Sequence, residues 1–168
     1  MMYKIAVLDS THRREEFSCG NEILDNYLKK QASQDVKRQL SACFVMVDEQ
    51  NNVKGYYTLS SASIPRENLP LSIAKKLPRN YENPPATLLG RLAIDKSLAG
   101  QGAGGSFLAK ALERSFHQSK IIGSMAVIVD PIDENATKFY GKFGFLQLDS
   151  GKMFLEMKQI AKLVESNK

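Results

Sequence analysis

The 168-residue chain has only two cysteines, two histidines and no long hydrophobic run. Cys19 and Cys43 form no Cys-x-x-Cys pair, so neither a disulfide framework nor a structural metal is indicated. At this size neither is needed, because a chain of about 150 residues buries roughly two thirds of the surface that its unfolded form exposes. No apolar stretch approaches the roughly 18 to 20 residues of a bilayer span, which excludes a membrane helix. The opening MMYKIAVLDSTHRREEF has no basic segment followed by an apolar one, so no secretory signal is expected. These absences predict a cytoplasmic protein with free thiols, no membrane partner and no metal. Repeats and low-complexity tracts are also missing. With 43% hydrophobic and 24% charged residues the composition is that of a globular protein, and the length predicts one domain, 1–168.

Charge is unbalanced toward the basic side, with 23 Lys plus Arg against 18 Asp plus Glu, a net +5. An anionic partner fits this, and a phosphorylated cofactor and a nucleic acid fit it equally. A mildly basic protein with no such partner would look the same, so charge alone decides nothing.

Periodicity supplies the elements. A strand is predicted over Tyr3–Leu8. After Ser18, apolar residues at Ile23, Leu24, Tyr27, Leu28, Ala32, Val36 and Leu40 follow helical spacing. ACFVMVD (42–48) and VKGYYTLSSASI (53–64), joined through EQNN, read as an antiparallel hairpin. A Pro-bounded stretch from Pro65 to Pro85 contains the short helix candidate SIAKKL (72–77). The second half reads as strand 86–95, a glycine cluster, a helix over about 104–120 and strand 125–130, a β-α-β unit. Then come a helix over roughly 133–142, the strands FGFLQL and KMFLEMK (152–158), and a weak helical tail to Lys168. The fold class is α/β (α+β), with early antiparallel strands and a later parallel pair.

The cluster GQGAGGS (100–106) lies where a strand ends and a helix begins, so its backbone N–H groups lack intrahelical partners and the helix dipole favours an anion. Three phosphate-binding readings compete. A Walker A loop needs Lys after its last glycine, but Gly105 is followed by Ser106 and Phe107, which argues against nucleotide triphosphate hydrolysis. The dinucleotide pattern G-x-G-x-x-G matches at Gly100, Gly102 and Gly105, yet the unit begins past the midpoint, with few residues left for further parallel strands.

The third reading is an acyl-CoA loop. LLGRLAID, AGQGAGGSFLAKAL and NATKFYGKFGF (135–145), in that order, resemble the GNAT acetyltransferase superfamily. That family's pyrophosphate loop is Q/R-x-x-G-x-G/A. The chain agrees over Gly100–Gly104 and departs at Ala99, which leaves the pyrophosphate to backbone N–H groups. The FY-x-x-x-GF signature falls on Phe139, Tyr140, Gly144 and Phe145.

The resemblance implies a single GNAT-like domain with a mixed, mostly antiparallel sheet, helices on both faces, and a central parallel pair splayed to bind acetyl-CoA. Gly100, Gln101, Gly102, Ala103, Gly104, Gly105 and Ser106 would cradle the pyrophosphate. The backbone of Leu92, Ala93 and Ile94 would pair with the pantetheine arm, with one N–H there polarising the thioester carbonyl. Asn135 would contact the cofactor arm. Tyr140 would be the general acid that protonates the leaving thiolate, because a phenol stays protonated at neutral pH.

No general base stands out. His12 and His117 are isolated, while Asp95, Glu82 and Asp130 are equally well ordinary strand-end or loop residues. Without a base, an α-amine of pKa about 7.7–8.0 is a better acceptor than a lysine near 10.4. From FSCGNEILDNYLKKQASQ (17–34) to FYGKFGF the chain resembles the GNAT toxins of bacterial toxin–antitoxin modules. This implies an aminoacyl-tRNA substrate whose α-amine is acetylated, blocking translation. It also implies a ribbon-helix-helix antitoxin, operator DNA bound only through the antitoxin complex, and compatibility with a homodimer. Arg91, Lys75, Lys76 and Arg79 are candidates for acceptor-stem contact. The alternatives are a GNAT enzyme for a small amine or a protein N-terminus, and a non-catalytic CoA-binding or operator-complex component.

Overall fold

The computed structural model describes residues 2–166. Seven strands form one mixed sheet in the order β1-β2-β3-β4-β5-β7-β6. They are β1 (Lys4–Val7), β2 (Ala42–Val47), β3 (Val53–Ser63), β4 (Pro85–Ile94), β5 (Ala126–Val129), β6 (Leu146–Gln147) and β7 (Met153–Glu156). β1–β2, β2–β3, β5–β7 and β6–β7 are antiparallel, whereas β4 and β5 run parallel with Thr87 opposite Val127 and Leu88 opposite Ile128. The chain divides into two compact units, residues 1–60 with 89–111 and residues 61–88 with 112–168.

The first unit places α1 (Glu22–Lys30) and α2 (Ala32–Lys37) over a core of Phe17, Tyr27, Leu28, Ala32, Val45, Tyr56 and Ala93. The apolar spacing predicted one helical segment here, but the helix breaks at Gln31, where φ is −125°. Arg14 explains the break. Its guanidinium donates to the Leu28 carbonyl at 3.0 Å, the group an unbroken helix would offer to Ala32. The N-cap is Asn21, whose side chain accepts from the Leu24 N–H. Ile23 and Leu40, read as part of the apolar stripe, are 78% and 64% exposed.

The second unit contains α3 (Leu71–Ala74), α5 (Glu134–Lys142) and α6 (Met157–Ser166), around a core of Ile64, Leu69, Ala86, Ala126, Ile128, Leu148 and Phe154. α3 is shorter than the predicted 72–77 because Pro78 has no N–H to offer the Ala74 carbonyl, and residues 75–77 close in tighter turns such as Leu77 N–H to Ala74 O. The FGFLQL strand shrinks to two residues, since Gly144 adopts φ +93° and the Phe145 N–H turns back to the Tyr140 carbonyl. α6 is better formed than its sequence implied, burying Met157, Ile160 and Val164 at helical spacing. The last two residues of the expected tail lie outside the described residues. α4 (Ala103–Gln118) runs through both units. Among the described residues no helix is long and apolar enough to cross a membrane.

Candidate active site

In the first unit, β4 leads into the glycine loop through a 3-10 turn, Lys96–Leu98. Asp95 fastens this junction. Its carboxylate accepts from the Ser97 N–H at 3.0 Å, the Ser97 hydroxyl at 2.6 Å and the Ser18 N–H at 3.0 Å. The Lys96 N–H returns a bond to the Ser18 carbonyl, and the Asp95 N–H bonds to the Lys54 carbonyl. The FSCGN segment and β3 therefore set the floor from which the loop rises. Burial alone would raise the Asp95 pKa, but the Ser97 and Ser18 hydrogen bonds outweigh it and hold the carboxyl below its ordinary range. With its oxygens engaged in this way, Asp95 is a structural cap.

The loop then turns through Gly100 (φ +78°) and Gly102 (φ +72°), conformations that a side chain would strain. No atom lies within 4 Å of where a Cβ at either glycine would sit. The Gln101 amide folds back to the Ser97 carbonyl at 3.4 Å, and α4 starts at Ala103. Residues 99–106 include no carboxylate. An open, acid-free tip of backbone amides at the start of a 16-residue helix fits a pyrophosphate. Leu92 and Ile94 are half-buried and Ala93 is buried. β3 comes close to this stretch because Gly55 has no side chain: a Cβ there would meet Ile94 Cδ1 at 3.0 Å and the Ala93 carbonyl at 3.2 Å.

Arg91, a candidate for acceptor-stem contact, stacks on an aromatic ring. Its guanidinium lies 3.5 Å from the centroid of the Tyr27 ring, at an open groove of about 680 Å³ that Asn26, Lys30, Asp35 and Arg38 also line. Deeper in the same unit, the Thr58 hydroxyl is buried without a hydrogen-bond partner among the described residues. It lies 3.0 Å from where a Cβ on Gly90 would project.

In the second unit, Asp133 caps α5 by accepting from the Ala136 N–H at 2.8 Å, which leaves Asn135 exposed in the first turn. Tyr140, one of the predicted site residues, is 8% exposed, its ring 5.3 Å from those of Phe139 and Phe145. Burial pushes its hydroxyl up to about 12. Lys75, Lys76 and Arg79 are exposed on the segment after α3. That segment is held by Arg66, which sequence reasoning did not single out. It donates to the carbonyls of Pro78 and Tyr81 through one terminal nitrogen, and of Ala74 and Leu77 through the other.

The remaining base candidates do not form a site. The His12 Nδ1 accepts from the Asp9 N–H at 3.0 Å within a local turn, and His117 is exposed beside Phe116. Glu82 and Asp130 are exposed. Among the described residues no group of three or more His, Cys, Asp or Glu side chains could hold a metal.

Comparison with known proteins gives these pieces a context. Residues 7–145 match the acetyltransferase (GNAT) family model. The chain is 33% identical over 129 residues to a tRNA-acetylating toxin of Mycobacterium tuberculosis, covering 77% of this chain and 75% of the relative. It is 31% identical over 163 residues to the probable toxin TacT of Sinorhizobium fredii, covering 91% and 90%. A solved tyrosine-to-phenylalanine mutant of KacT superposes with a TM-score of 0.91 at 33% identity, covering 97% of this chain and 99% of that one. AtaT complexed with acetyl-methionyl-tRNAfMet superposes with a TM-score of 0.89 at 31% identity, with the same coverage. Other solved forms of AtaT hold acetyl-CoA, the antitoxin AtaR, or AtaR with DNA. The glycine loop, the capped strand end and the buried tyrosine thus occur in a chain that belongs to the GNAT acetyltransferase family.

Proposed function

We propose that this chain transfers the acetyl group of acetyl-CoA to the α-amine of aminoacyl-tRNA and thereby inhibits translation as the toxin of a toxin–antitoxin module. The observation that carries this reading is the likeness, over 97% of the chain, to AtaT solved with its acetylated aminoacyl-tRNA. The family match draws residues from both compact units, which supports reading them as one GNAT domain.

In this reading acetyl-CoA supplies an activated thioester, and the chain supplies binding and one proton. The amides of Gly100–Ser106 hold the pyrophosphate, and the backbone of Leu92, Ala93 and Ile94 holds the pantetheine arm, with one N–H polarising the carbonyl. Asn135 contacts the same arm. The acceptor nitrogen forms a C–N bond as the C–S bond breaks. Tyr140 delivers its proton to the departing sulfur, the amine releases its own to solvent, and the phenolate takes a proton back from solvent, which restores the acid. A phenol near 12 remains fully protonated at every physiological pH, and a partly neutral α-amine requires no strong base. Arg91, Lys75, Lys76 and Arg79 contact the acceptor-stem backbone. The antitoxin is of the ribbon-helix-helix type, and operator DNA is bound through the complex with it.

The test is incubation with labelled acetyl-CoA and a charged tRNA pool, followed by mass spectrometry of the aminoacyl group. Label on the α-amine, with growth arrest on induction, is the expected result. Label only on small amines or protein N-termini, in cells that grow normally, would refute it in favour of a general GNAT enzyme.

A further inference from the structure

The stretch between β3 and β4 contains only a 3-10 turn, Arg66–Asn68, and the single turn of α3, yet it is not free to wander. Leu69, Ile73 and Leu77, spaced four apart, point into the core cluster that also holds Ile64, Ile128 and Phe154. On the same stretch Lys75, Lys76 and Arg79 are exposed. Hydrophobic feet and isolated turn bonds, such as Leu77 N–H to Ala74 O and Tyr81 N–H to Pro78 O, do not alone fix the path of the chain. Arg66 supplies that constraint. One terminal nitrogen donates to Pro78 O at 2.7 Å and Tyr81 O at 3.0 Å, the other to Ala74 O at 2.7 Å and Leu77 O at 2.9 Å. The Arg66 N–H also bonds to the Glu82 carbonyl at 2.8 Å, closing the base of the loop.

Four carbonyls converging on one point repel each other and form a cup of negative potential. A guanidinium is the side chain that can fill it, since its two terminal nitrogens carry four N–H bonds in a fixed plane. An ammonium has three donors and no plane, so Lys at this position keeps the charge and loses the geometry. The positive charge of Arg66 is consumed inside the loop. The charges of Lys75, Lys76 and Arg79 are left outside on a segment whose backbone is tied at four carbonyls.

We propose that Arg66 is a positioning residue for the RNA substrate: it preorganises residues 66–82 so that Lys75, Lys76 and Arg79 meet the tRNA backbone as a preformed cluster. The gain comes from ordering entropy spent during folding and not at the moment of binding. This rests on the tRNA reading above.

Arg66→Lys is expected to raise KM for aminoacyl-tRNA about tenfold while leaving kcat and acetyl-CoA affinity unchanged. Amide exchange should quicken over residues 74–82. Its salt dependence separates contact from positioning: binding loses about 0.7 to 0.9 in log–log salt slope per phosphate contact. Arg66→Lys should flatten the slope although no charge is removed. The decisive comparison is a double-mutant cycle with Lys75→Ser, Lys76→Ser and Arg79→Ser made together. If Arg66 acts through the cluster, neutralising it costs much less in the Arg66→Lys background than in the wild type. Unchanged KM in folded Arg66→Lys, or full additivity in the cycle, overturns the proposal. If the wild type itself puts no acetyl group on charged tRNA, the functional reading fails instead.

Discussion

The guanidinium of Arg91 lies 3.5 Å over the ring of Tyr27, and the Tyr27 hydroxyl donates to Asp35 at 2.7 Å. A strand residue of β4 is thereby tied to both α1 and α2. Burial, the bond to Asp35 and the nearby carboxylate push the Tyr27 hydroxyl up to about 12 in spite of the opposing Arg91 charge. Tyr27 and Arg91 both line the groove, so the ring contact holds the guanidinium at its wall. Arg91→Glu should sharply weaken transfer to tRNA and spare acetyl-CoA affinity, with a stability loss of about 0.5 to 1 kcal/mol from the lost cation–π contact. Tyr27→Phe keeps the ring and forfeits only the Asp35 bond, about 1 kcal/mol. Its tRNA KM should stay within twofold of wild type. Kinetics combined with thermal melts of both variants separate the two effects.

Tyr140→Phe removes one oxygen and leaves the packing against Phe139 and Phe145 in place. Acetyl transfer should fall by about 10²-fold or more, the usual size of a general-acid contribution. Acetyl-CoA affinity and melting temperature should hold. In the wild type, kcat/KM should rise with pH as the α-amine loses its proton near 7.7 to 8.0, with no descending limb below about pH 10. Wild-type turnover in the variant would return Tyr140 to a packing role.

A carboxylate placed in the glycine loop tests its polarity. Gly102 adopts φ +72° beside open space, so Gly102→Glu adds backbone strain and a negative charge where amides are proposed to hold phosphate. Calorimetry should find acetyl-CoA binding lost in a chain that still folds. Binding of NAD by the wild type in its place would restore the dinucleotide reading.

Much of this was legible in the sequence, and the reasons differ by element. The glycine turn before α4 and the place of Tyr140 on α5 could be read because a glycine cluster and the FY-x-x-x-GF signature are local patterns. The hairpin followed from two strand-like runs joined by the turn-prone EQNN, and α5 was expected over roughly 133–142, close to its observed bounds. The break at Gln31 was invisible, since it depends on Arg14 reaching 14 residues forward to the Leu28 carbonyl. Arg66 was equally silent: nothing in PRENLPLSIAKKLPRNY distinguishes a solvated arginine from one that collects four carbonyls. Asp95 looked like a candidate base because its three donors come from Ser18 and Ser97, and Ser18 is 77 residues away. Local chemistry is read from spacing, whereas hydrogen bonds between distant segments are not.

The Thr58 hydroxyl, without a hydrogen-bond partner among the described residues, carries a stability cost. It is buried at 1% exposure on β3, next to the Cβ-free surface of Gly90. An unsatisfied buried hydroxyl costs about 1 to 3 kcal/mol, and valine fills the same volume without it. Thr58→Val should therefore raise the urea midpoint with no change in the slope of unfolding free energy against urea. A lower midpoint would show that the hydroxyl has a partner in solution, such as an ordered water.

Alkaline stability follows from the buried thiols and phenols. Burial pushes Cys43 up to about 12 and Cys19, beside Asp25, up to about 11, against an ordinary thiol value of about 8.5. Tyr27 and Tyr140 are each raised to about 12 from about 10. In every case the fold favours the protonated form. Between the unfolded and folded pKa the native chain therefore binds more protons than the unfolded one, and stability falls as pH rises. The contribution is fully present below about pH 8.5 and is lost through about pH 11 to 12. Unfolding free energy should be level from pH 7 to 8 and then decline, each such group steepening the slope by up to about 1.4 kcal/mol per pH unit. Cys43→Ala lowers stability at neutral pH by removing a packed sulfur, yet its curve should be shallower between pH 9 and 10.5 because one titrating group is gone. Urea titrations at pH 7.5, 8.5, 9.5 and 10.5 measure both slopes. A wild-type curve that stays flat to pH 10.5 would mean that these groups ionise in the native state as freely as in the unfolded one.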